Sequence, residues 1–226
     1  MSASVSVLCA VWNNARFIGE ALASALAQSR PADEIIVVDD GSTDESARIA
    51  EATPGVRCIR ESHRGVAPTR NIALTHARGE LIAWLDSDDV WTPDKLAVQV
   101  GYMEAHPEVA MTFTHQRLMF EEGVPRPYWV REEAVDNDTP VVGTCSMVVR
   151  KALFEEVGGF DAKKTPADDT DWIFRAKNRG HVHVTLPETL LLRRVHHDNI
   201  STVQPVGRTK VLGMLRDAIA RQRGGG

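Results

Sequence analysis

The stretch Leu81-Ile82-Ala83-Trp84-Leu85-Asp86-Ser87-Asp88-Asp89 is an apolar run that ends in three carboxylates. Such a run is typical of a strand that is buried on both faces of a parallel sheet. Open α/β folds bind ligands at the carboxyl ends of these strands. Carboxylate oxygens suit Mg²⁺ or Mn²⁺, and such an ion keeps positions for substrate phosphates. The stretch predicts a metal site for a nucleotide diphosphate, although an Asp-rich turn before Thr92-Pro93-Asp94 would give the same pattern.

Strand and helix patterns alternate through the first half of the chain. The alternation predicts βαβ units and a mostly parallel sheet flanked by helices. The predicted strands cover residues 5–11, 34–39, 56–59 and 81–85, and the clearest helices cover residues 17–26, 66–77 and 93–106.

The pattern loosens after a strand at residues 109–114. Residues 121–140 are polar and rich in proline, which predicts a long loop or hairpin. Its Tyr128-Trp129 pair either covers an acceptor or packs over the sheet edge. We further predict a strand at 147–149, helices from residue 151 and over 168–180, a strand leading into residues 193–197, and a terminal helix over 209–222.

Charge and composition exclude several classes of protein. The net charge of −5 argues against a nucleic-acid partner, which needs a basic surface. Cys9, Cys58 and Cys145 are scattered, which predicts free thiols in a reducing compartment. We find no signal-peptide pattern and no apolar run long enough to cross a bilayer. The expectation is a cytoplasmic protein without a transmembrane segment.

Polar residues follow three of the predicted strands, and a parallel sheet would bring them to one edge. They are Trp12-Asn13-Asn14, Asp39-Asp40 and the Asp86–Asp89 stretch. An aromatic ring there can stack on a nucleobase, and a carboxylate can accept from a base N–H or a ribose hydroxyl. The alternative is that Trp12 caps the core and Asp39-Asp40-Gly41 forms only a turn.

The order of several short motifs resembles the inverting GT-A fold glycosyltransferases of family 2, from Val5 to about Ser201. The motifs are Val11-Trp12-Asn13, residues 37–44 (VVDDGSTD), residues 65–71 (GVAPTRN), Leu85–Asp89, residues 157–161 (VGGFD), residues 168–172 (DDTDW) and Arg194-Val195-His196.

The resemblance implies one GT-A domain over residues 1–226. Its central sheet would be Rossmann-like and mostly parallel, with a smaller, mixed C-terminal acceptor region. About residues 1–115 would bind the nucleotide sugar, and about residues 116–226 would bind the acceptor and include the terminal helix.

The resemblance also implies a nucleotide site. Val11 and Trp12 would lie against the base, with Trp12 where the family commonly has tyrosine. Asp39 would bind the base or ribose, Arg70 would contact the nucleotide side of the pocket, and Asp86 would touch the ribose or the metal.

A divalent ion, Mn²⁺ or Mg²⁺, is the implied cofactor. Asp88 would be its principal ligand. His196, with Arg194 nearby, would face the diphosphate or the metal. The ion would act as a Lewis acid on the leaving diphosphate.

The implied general base is Asp169, the second member of an acidic pair. Its neighbour Asp168 departs from the usual glutamate, which changes how the acceptor is held. Helix N-termini favour negative charge, so the pair also has a structural explanation. Trp172 either lines the acceptor pocket or anchors its helix in the core.

The implied reaction is inverting transfer of one sugar from a nucleotide-diphosphate donor, most commonly a UDP-sugar, to an acceptor hydroxyl in glycan synthesis. The acceptor would be a glycan, a lipid-linked glycan or a small molecule. A sugar nucleotidyltransferase would need a glycine-rich loop where this chain has residues 10–15, AVWNNA. A silent nucleotide- or glycan-binding module is the other alternative. The terminal helix would dock on the domain, on a second subunit, or peripherally on a membrane.

Overall fold

The computed structural model describes residues 2–203, which form one nine-stranded sheet with helices on both faces. The predicted helix at 209–222 lies outside the described residues. The strands are β1 (Val5–Val11), β2 (Glu34–Asp39), β3 (Val56–Arg60), β4 (Leu81–Asp86), β5 (Val90–Trp91), β6 (Val109–Phe120), β7 (Thr139–Val141), β8 (Val148–Arg150) and β9 (Val182–Val195). The helices are α1 (Ile18–Leu26), α2 (Ser46–Ala52), α3 (Val66–His76), α4 (Lys95–Ala105), α5 (Glu133–Asp136), α6 (Ala152–Val157), α7 (Asp168–Asn178) and α8 (Ile200–Val203).

The first four strands are parallel and lie in the order β3-β2-β1-β4. Successive side chains of β1 enter different cores because they point to opposite faces of the sheet. Val7 and Cys9 pack in the core that includes Ile18 and Leu22 of α1, while Leu8 packs in the core that includes α3. The two-sided burial explains the continuous apolar run in β1 and β4.

The strands of the second half are mixed in direction. The antiparallel strand β8 joins β4 to β6, and β6 then pairs in parallel with β9 over its whole length. Both are longer than predicted, since β6 continues to Phe120 and β9 begins at Val182. The sheet therefore continues without a break from the parallel half into the mixed half.

The polar segment 121–140 holds α5 and ends in β7, which pairs with β6. Trp129 packs against a small core that contains Leu118, Val130 and Val195. Tyr128 is 67% exposed. Trp129 thus follows the packing alternative.

Cys9, Cys58 and Cys145 carry free thiols, as predicted. None of the helices within residues 2–203 has the length and apolar character needed to cross a membrane.

Candidate active site

The three polar strand ends meet at one edge of the sheet. Strands β2, β1 and β4 are neighbours, and their register places Val11 beside Asp39 and Ala10 beside Asp86. Trp12 follows immediately at the end of β1. The convergence predicted from the parallel order is observed.

Trp12 forms an open aromatic platform. Its side chain is 52% exposed, so it does not cap the core. The ring of His63 stacks on it, with ring centroids 4.5 Å apart and planes 26° apart. Nδ1 of His63 lies 2.9 Å from Oδ2 of Asp40, which fixes the imidazole. Val11 is 2% exposed and contributes by placing Trp12 rather than by offering its own side chain.

Asp39 and Asp40 have different roles although they are adjacent. Both oxygens of Asp40 accept backbone N–H groups, from Arg64 at 2.7 Å and Gly65 at 2.8 Å. Asp39 accepts from Ser42 N–H through Oδ2, while its buried Oδ1 has no partner within residues 2–203. A buried acceptor without a donor is costly, so Asp39 is suited to a ligand that supplies an N–H or O–H.

Arg70 links the end of β4 to the start of α7. Its guanidinium donates to Asp86 at 3.3 Å and to Asp168 at 3.0 Å. Burial lowers the pKa of Arg70, but the two carboxylates outweigh that effect and raise it. Burial raises the pKa of Asp86 and of Asp168, and Arg70 opposes the change in both. The arginine therefore holds together two carboxylates that are 82 positions apart in the sequence.

Asp88 is held by residues from the end of β9. Nε2 of His196 lies 3.0 Å from Oδ2 of Asp88, and Asn199 donates to the same oxygen at 3.2 Å. His196 is 5% exposed and packs against Phe17. Two ligand atoms on neighbouring corners of an octahedral ion with bonds of about 2.1 Å lie about 3.0 Å apart. The Asp88–His196 spacing fits two ligands of one divalent ion.

A second group of candidate metal ligands lies beside the first. Within residues 2–203, ligand atoms of Asp86, Asp89 and Cys145 fall within 4.8 Å of one another. Burial raises the pKa of Cys145 and of Asp89 well above their usual ranges. A soft thiol also suits Mg²⁺ or Mn²⁺ poorly. The residues that fit the ion better are Asp88 and His196, with Asp86 beside them.

Arg194 contacts protein groups on both the acidic turn and α1. Its Nε donates to the carbonyl of Asp88 at 3.1 Å, and its guanidinium pairs with Glu20. The same group lies 4.8 Å from the ring centroid of Phe17. Arg194 thus braces the Asp88 turn against α1, and the role at the diphosphate that the resemblance implies for it stays a prediction.

Asp168 and Asp169 begin α7 and point to different surroundings. Asp168 is buried and forms an ion pair with Arg70. Asp169 is half-buried, accepts from Thr170 N–H through Oδ1, and directs Oδ2 toward Thr144 N–H at 3.5 Å. The candidate base thus faces the turn at residues 143–146, while its neighbour is occupied.

Trp172 anchors α7 in the core and does not line a pocket. It is fully buried, stacks on Phe154 at 4.3 Å, and donates from Nε1 to the carbonyl of Gly158 at 2.7 Å. Of the two alternatives for Trp172, the structure therefore has the ring in the core.

Residues 6–158 match the family model described as Glycosyl transferase family 2. The match ends before α7 and β9, so Asp169 and His196 lie beyond it. An uncharacterized protein of Mycobacterium tuberculosis is 29% identical over 210 residues, which are 87% of this chain and 60% of that protein. The putative teichuronic acid biosynthesis glycosyltransferase TuaG of Bacillus subtilis is 29% identical over 212 residues, covering 88% of this chain and 81% of that protein. The chain spans about three fifths of the mycobacterial relative's length.

Two solved structures share the fold. S. aureus TarS in complex with UDP-GlcNAc superposes with a TM-score of 0.75 at 22% identity, over 95% of this chain and 65% of that one. The mannosyltransferase PcManGT of Pyrobaculum calidifontis, in complex with GDP-Man and Mn²⁺, gives 0.73 at 24% identity, over 100% and 66%. Because the family model covers more than half of the residues, the chain belongs to glycosyl transferase family 2, and its fold is that of the GT-A glycosyltransferases.

Proposed function

We propose that the chain is a metal-dependent, inverting glycosyltransferase that moves one sugar from a nucleotide-diphosphate donor to an acceptor hydroxyl in polysaccharide synthesis. The observation that supports this best is the Asp86–Arg70–Asp168 chain of ion pairs. It ties the carboxylate end of β4, where a donor would bind, to the helix that begins with the candidate base. Donor and acceptor chemistry would then share one rigid site.

The nucleoside would lie between β1 and β2. Trp12 offers a ring face, and Asp39 offers a buried oxygen that needs a donor. UDP is the favoured nucleotide because TarS is solved with UDP and with UDP-GlcNAc. GDP is the next choice, since PcManGT is solved with GDP-Man.

The diphosphate would lie over the acidic turn after β4. Asp88 and His196, with Asp86, would hold a divalent ion there, and a bound ion would neutralise charge on the leaving diphosphate. The protein itself fixes these ligands through Asn199 and Phe17. Arg194 keeps the turn in place by binding the Asp88 carbonyl.

Asp169 would act as the general base. The acceptor oxygen would attack the anomeric carbon while the bond from that carbon to the diphosphate oxygen breaks, and Asp169 would take the hydroxyl proton. Asp168 keeps the start of α7 fixed through Arg70, so the base holds its place. The acceptor class remains the one expected above: a glycan, a lipid-linked glycan or a small molecule.

Thermal stability with nucleotides tests this proposal directly. The protein would be melted with UDP, dTDP, GDP, ADP and CTP, each with and without Mn²⁺. Binding to the native state adds about 2.7 kcal/mol at a hundredfold excess over Kd. We expect a Mn²⁺-dependent shift selective for one diphosphate. A shift with the triphosphate alone would support a nucleotidyltransferase instead, and no shift with any nucleotide would support a module that has lost the donor site.

A further inference from the structure

Trp12 has one covered face and one open face. The imidazole of His63 stacks on the indole with ring centroids 4.5 Å apart and planes 26° apart, yet Trp12 is still 52% exposed. Rings at this separation are in contact, so no base fits between them. The part of the indole that remains exposed lies away from His63, and a nucleobase would stack there.

The imidazole is held in place by Asp40, directly after β2. Its Nδ1 lies 2.9 Å from Oδ2 of Asp40 and 3.2 Å from the carbonyl oxygen of the same residue. Both of these oxygens are acceptors, so Nδ1 carries the hydrogen. The carboxylate of Asp40 also accepts the backbone N–H groups of Arg64 and Gly65, the two residues after His63. One aspartate thus fixes both the ring and the backbone that follows it.

The backbone of His63 packs against the end of β2. Glu61 donates its backbone N–H to the carbonyl of Asp39 at 2.9 Å. A Cβ on Gly41 would lie 2.8 Å from His63 N, so the two segments touch. Moving the imidazole away from the indole would turn it out of reach of Asp40. The histidine is therefore better placed to stay than to give up its position to a base.

The ring of Trp12 depends on this histidine for its orientation. Its backbone is fixed by the next residue, since Asn13 donates its N–H to Ser42 at 2.9 Å and accepts the N–H of Thr43 at 2.8 Å. Within residues 2–203, the stack with His63 is the one ring contact of the indole. Ordering an exposed side chain on binding costs affinity, and a ring that is already ordered avoids that cost.

We propose that His63 is a positioning residue for the nucleobase: it supports the indole of Trp12 from behind, so that the opposite face is presented to the base of the donor. The inference rests on the proposed function. It gives the two aspartates of the VVDDGSTD stretch different roles, since Asp39 would meet the base and Asp40 holds the histidine. His63 itself would not contact the base.

Calorimetric titration separates the base from the diphosphate. UDP, GDP and inorganic pyrophosphate would each be titrated in the presence of Mn²⁺, since pyrophosphate offers the metal site an anion without a base. His63→Ala removes the ring, and His63→Phe keeps a stacking ring without the bond to Asp40. Both changes would also be made in a Trp12→Leu background. The side chain of His63 is 53% exposed, so its replacement should leave folding intact.

The matched control is His106→Ala. His106 also stacks on an aromatic ring, that of Tyr102, with centroids 4.3 Å apart and planes 29° apart, and its Nδ1 lies 3.4 Å from a carboxylate oxygen of Glu108. Its carbonyl accepts from Arg150, which lies beside Leu81 at the start of β4. The control therefore removes the same kind of stacked histidine at the opposite edge of the sheet from the polar strand ends.

We expect His63→Ala to weaken UDP or GDP, whichever wild type binds, by about 3- to 10-fold, the cost of ordering one freed side chain on binding. Affinity for pyrophosphate should not change. His63→Phe should recover most of the loss, because a phenyl ring also stacks on an indole. In the Trp12→Leu background neither change should have a further effect, since His63 acts through that ring. His106→Ala should bind all three ligands as wild type does.

Three results would overturn the proposal. Unchanged or tighter nucleotide binding by His63→Ala is the first, and tighter binding would mean that the base competes with His63 for the indole. The second is a loss that persists in the Trp12→Leu background, which would mean that His63 contacts the base itself. The third is an equal loss for pyrophosphate, a sign that the whole site is disturbed. A wild-type protein that binds neither UDP nor GDP would instead refute the proposed function.

Discussion

At the scale of single residues, Asp88 is the point where the two halves of the chain meet. Its Oδ2 lies within hydrogen-bond distance of both His196 and Asn199, and its side chain is 22% exposed. Asp88→Asn removes the charge that a divalent ion needs while keeping the shape. We expect the Mn²⁺-dependent part of the thermal shift with UDP to disappear, with stability of the free protein nearly unchanged. Melting with and without Mn²⁺ measures both.

The matched control for Asp88 is Asp136→Asn, a substitution of an exposed carboxylate in α5. It should leave the nucleotide shift as it is in wild type. A full Mn²⁺-dependent shift in Asp88→Asn would remove Asp88 from the metal site.

Asp169 is expected to affect transfer and not donor binding. Its carboxylate faces the turn at residues 143–146 and has no ion pair within residues 2–203. Asp169→Asn should lower the rate of sugar transfer by about 10²–10⁴-fold, the usual contribution of a general base. Donor affinity, measured by calorimetry, should stay within a few-fold of wild type. Loss of donor affinity would place Asp169 on the nucleotide side.

The positions of the carboxylates after β2 and β4 could be predicted because these residues follow apolar strands whose ends have a known direction. His63 and Asn199 could not be predicted. His63 meets Trp12 from 51 positions away, and Asn199 meets Asp88 from 111 positions away, so no local spacing marks either contact. Trp172 was ambiguous for the same reason, since an aromatic beside an acidic pair gives no sign of the direction of its ring.

At the scale of elements, two glycines should respond in opposite ways to replacement by alanine. Gly41, after β2, has φ +69°, and a Cβ there would lie 2.8 Å from His63 N. Gly101, inside α4, has open space around it. Gly41→Ala should destabilise the protein by at least about 1–2 kcal/mol because of the left-handed conformation. Gly101→Ala should stabilise it by about 0.5–1 kcal/mol, since alanine is the better helix former. Urea unfolding measures both, and similar effects of the two changes would contradict the turn geometry.

The helix α4 buries a lysine that has no carboxylate partner among residues 2–203. Lys95 is fully buried, donates to Gln99 and to the carbonyl of Ser146, and lies over the ring of Trp91. Burial lowers the pKa of Lys95 to about 7, from 10.5. The Ser146 carbonyl belongs to the turn that faces Asp169, so the lysine and the candidate base are supported by one segment.

The lysine makes stability depend on pH. Below pH 7 the amine is protonated in both the folded and the unfolded chain, and burial of its charge lowers the free energy of unfolding by its full amount. Between pH 7 and 10.5 the unfolded chain binds more protons, so the free energy of unfolding rises with pH. Its slope is at most about 1.4 kcal/mol per pH unit for this group.

We expect Lys95→Met to remove this rise. The difference in the free energy of unfolding, wild type minus variant, should increase from pH 6.5 to pH 9.5 in urea titrations. The exposed Lys163 supplies the control, because Lys163→Met should give a difference that stays constant with pH. A constant difference for Lys95→Met as well would mean that the amine has the same pKa in the folded and the unfolded chain, as it would if it reached water.

The parallel elements of the first half could be predicted nearly to the residue because burial on both faces leaves an unbroken apolar run. The full lengths of the long strands β6 and β9 in the second half could not be predicted. In β6, Thr114 and Gln116 are buried although they are polar, so the buried positions cannot be recognised from hydrophobic residues in the sequence. In β9, Pro187 and Glu188 interrupt the apolar pattern between Leu186 and Leu190.

At the scale of the whole molecule, stability should be greatest at the centre of the sheet. Strand β1 is paired on both sides and buried on both faces, whereas β3 is at the edge and only partly buried. Amides in β1 and β4 should exchange with solvent only through global unfolding, and those in β3 should exchange faster through local opening. Native-state hydrogen exchange measures this order. Equal protection of β3 and β1 would mean that the sheet opens as one unit.

Residues at the end of β9 contact the acidic turn after β4, and this has a consequence for the order in which the proposed donor site is made. Asp88 is synthesised 108 residues before His196, the residue that contacts it. Asp89 is synthesised 105 residues before Arg194, whose backbone N–H donates a hydrogen bond to it. Chains grow from the N-terminus at about 5–20 residues per second, and the early strands can pair while the rest is still being added. For several seconds the nascent chain has a sheet but no complete ligand set around its acidic turn. The donor site that we propose would therefore be complete only after β9 is made, and a chain released before β9 would have the ends of β1, β2 and β4 but would lack His196 and Asn199.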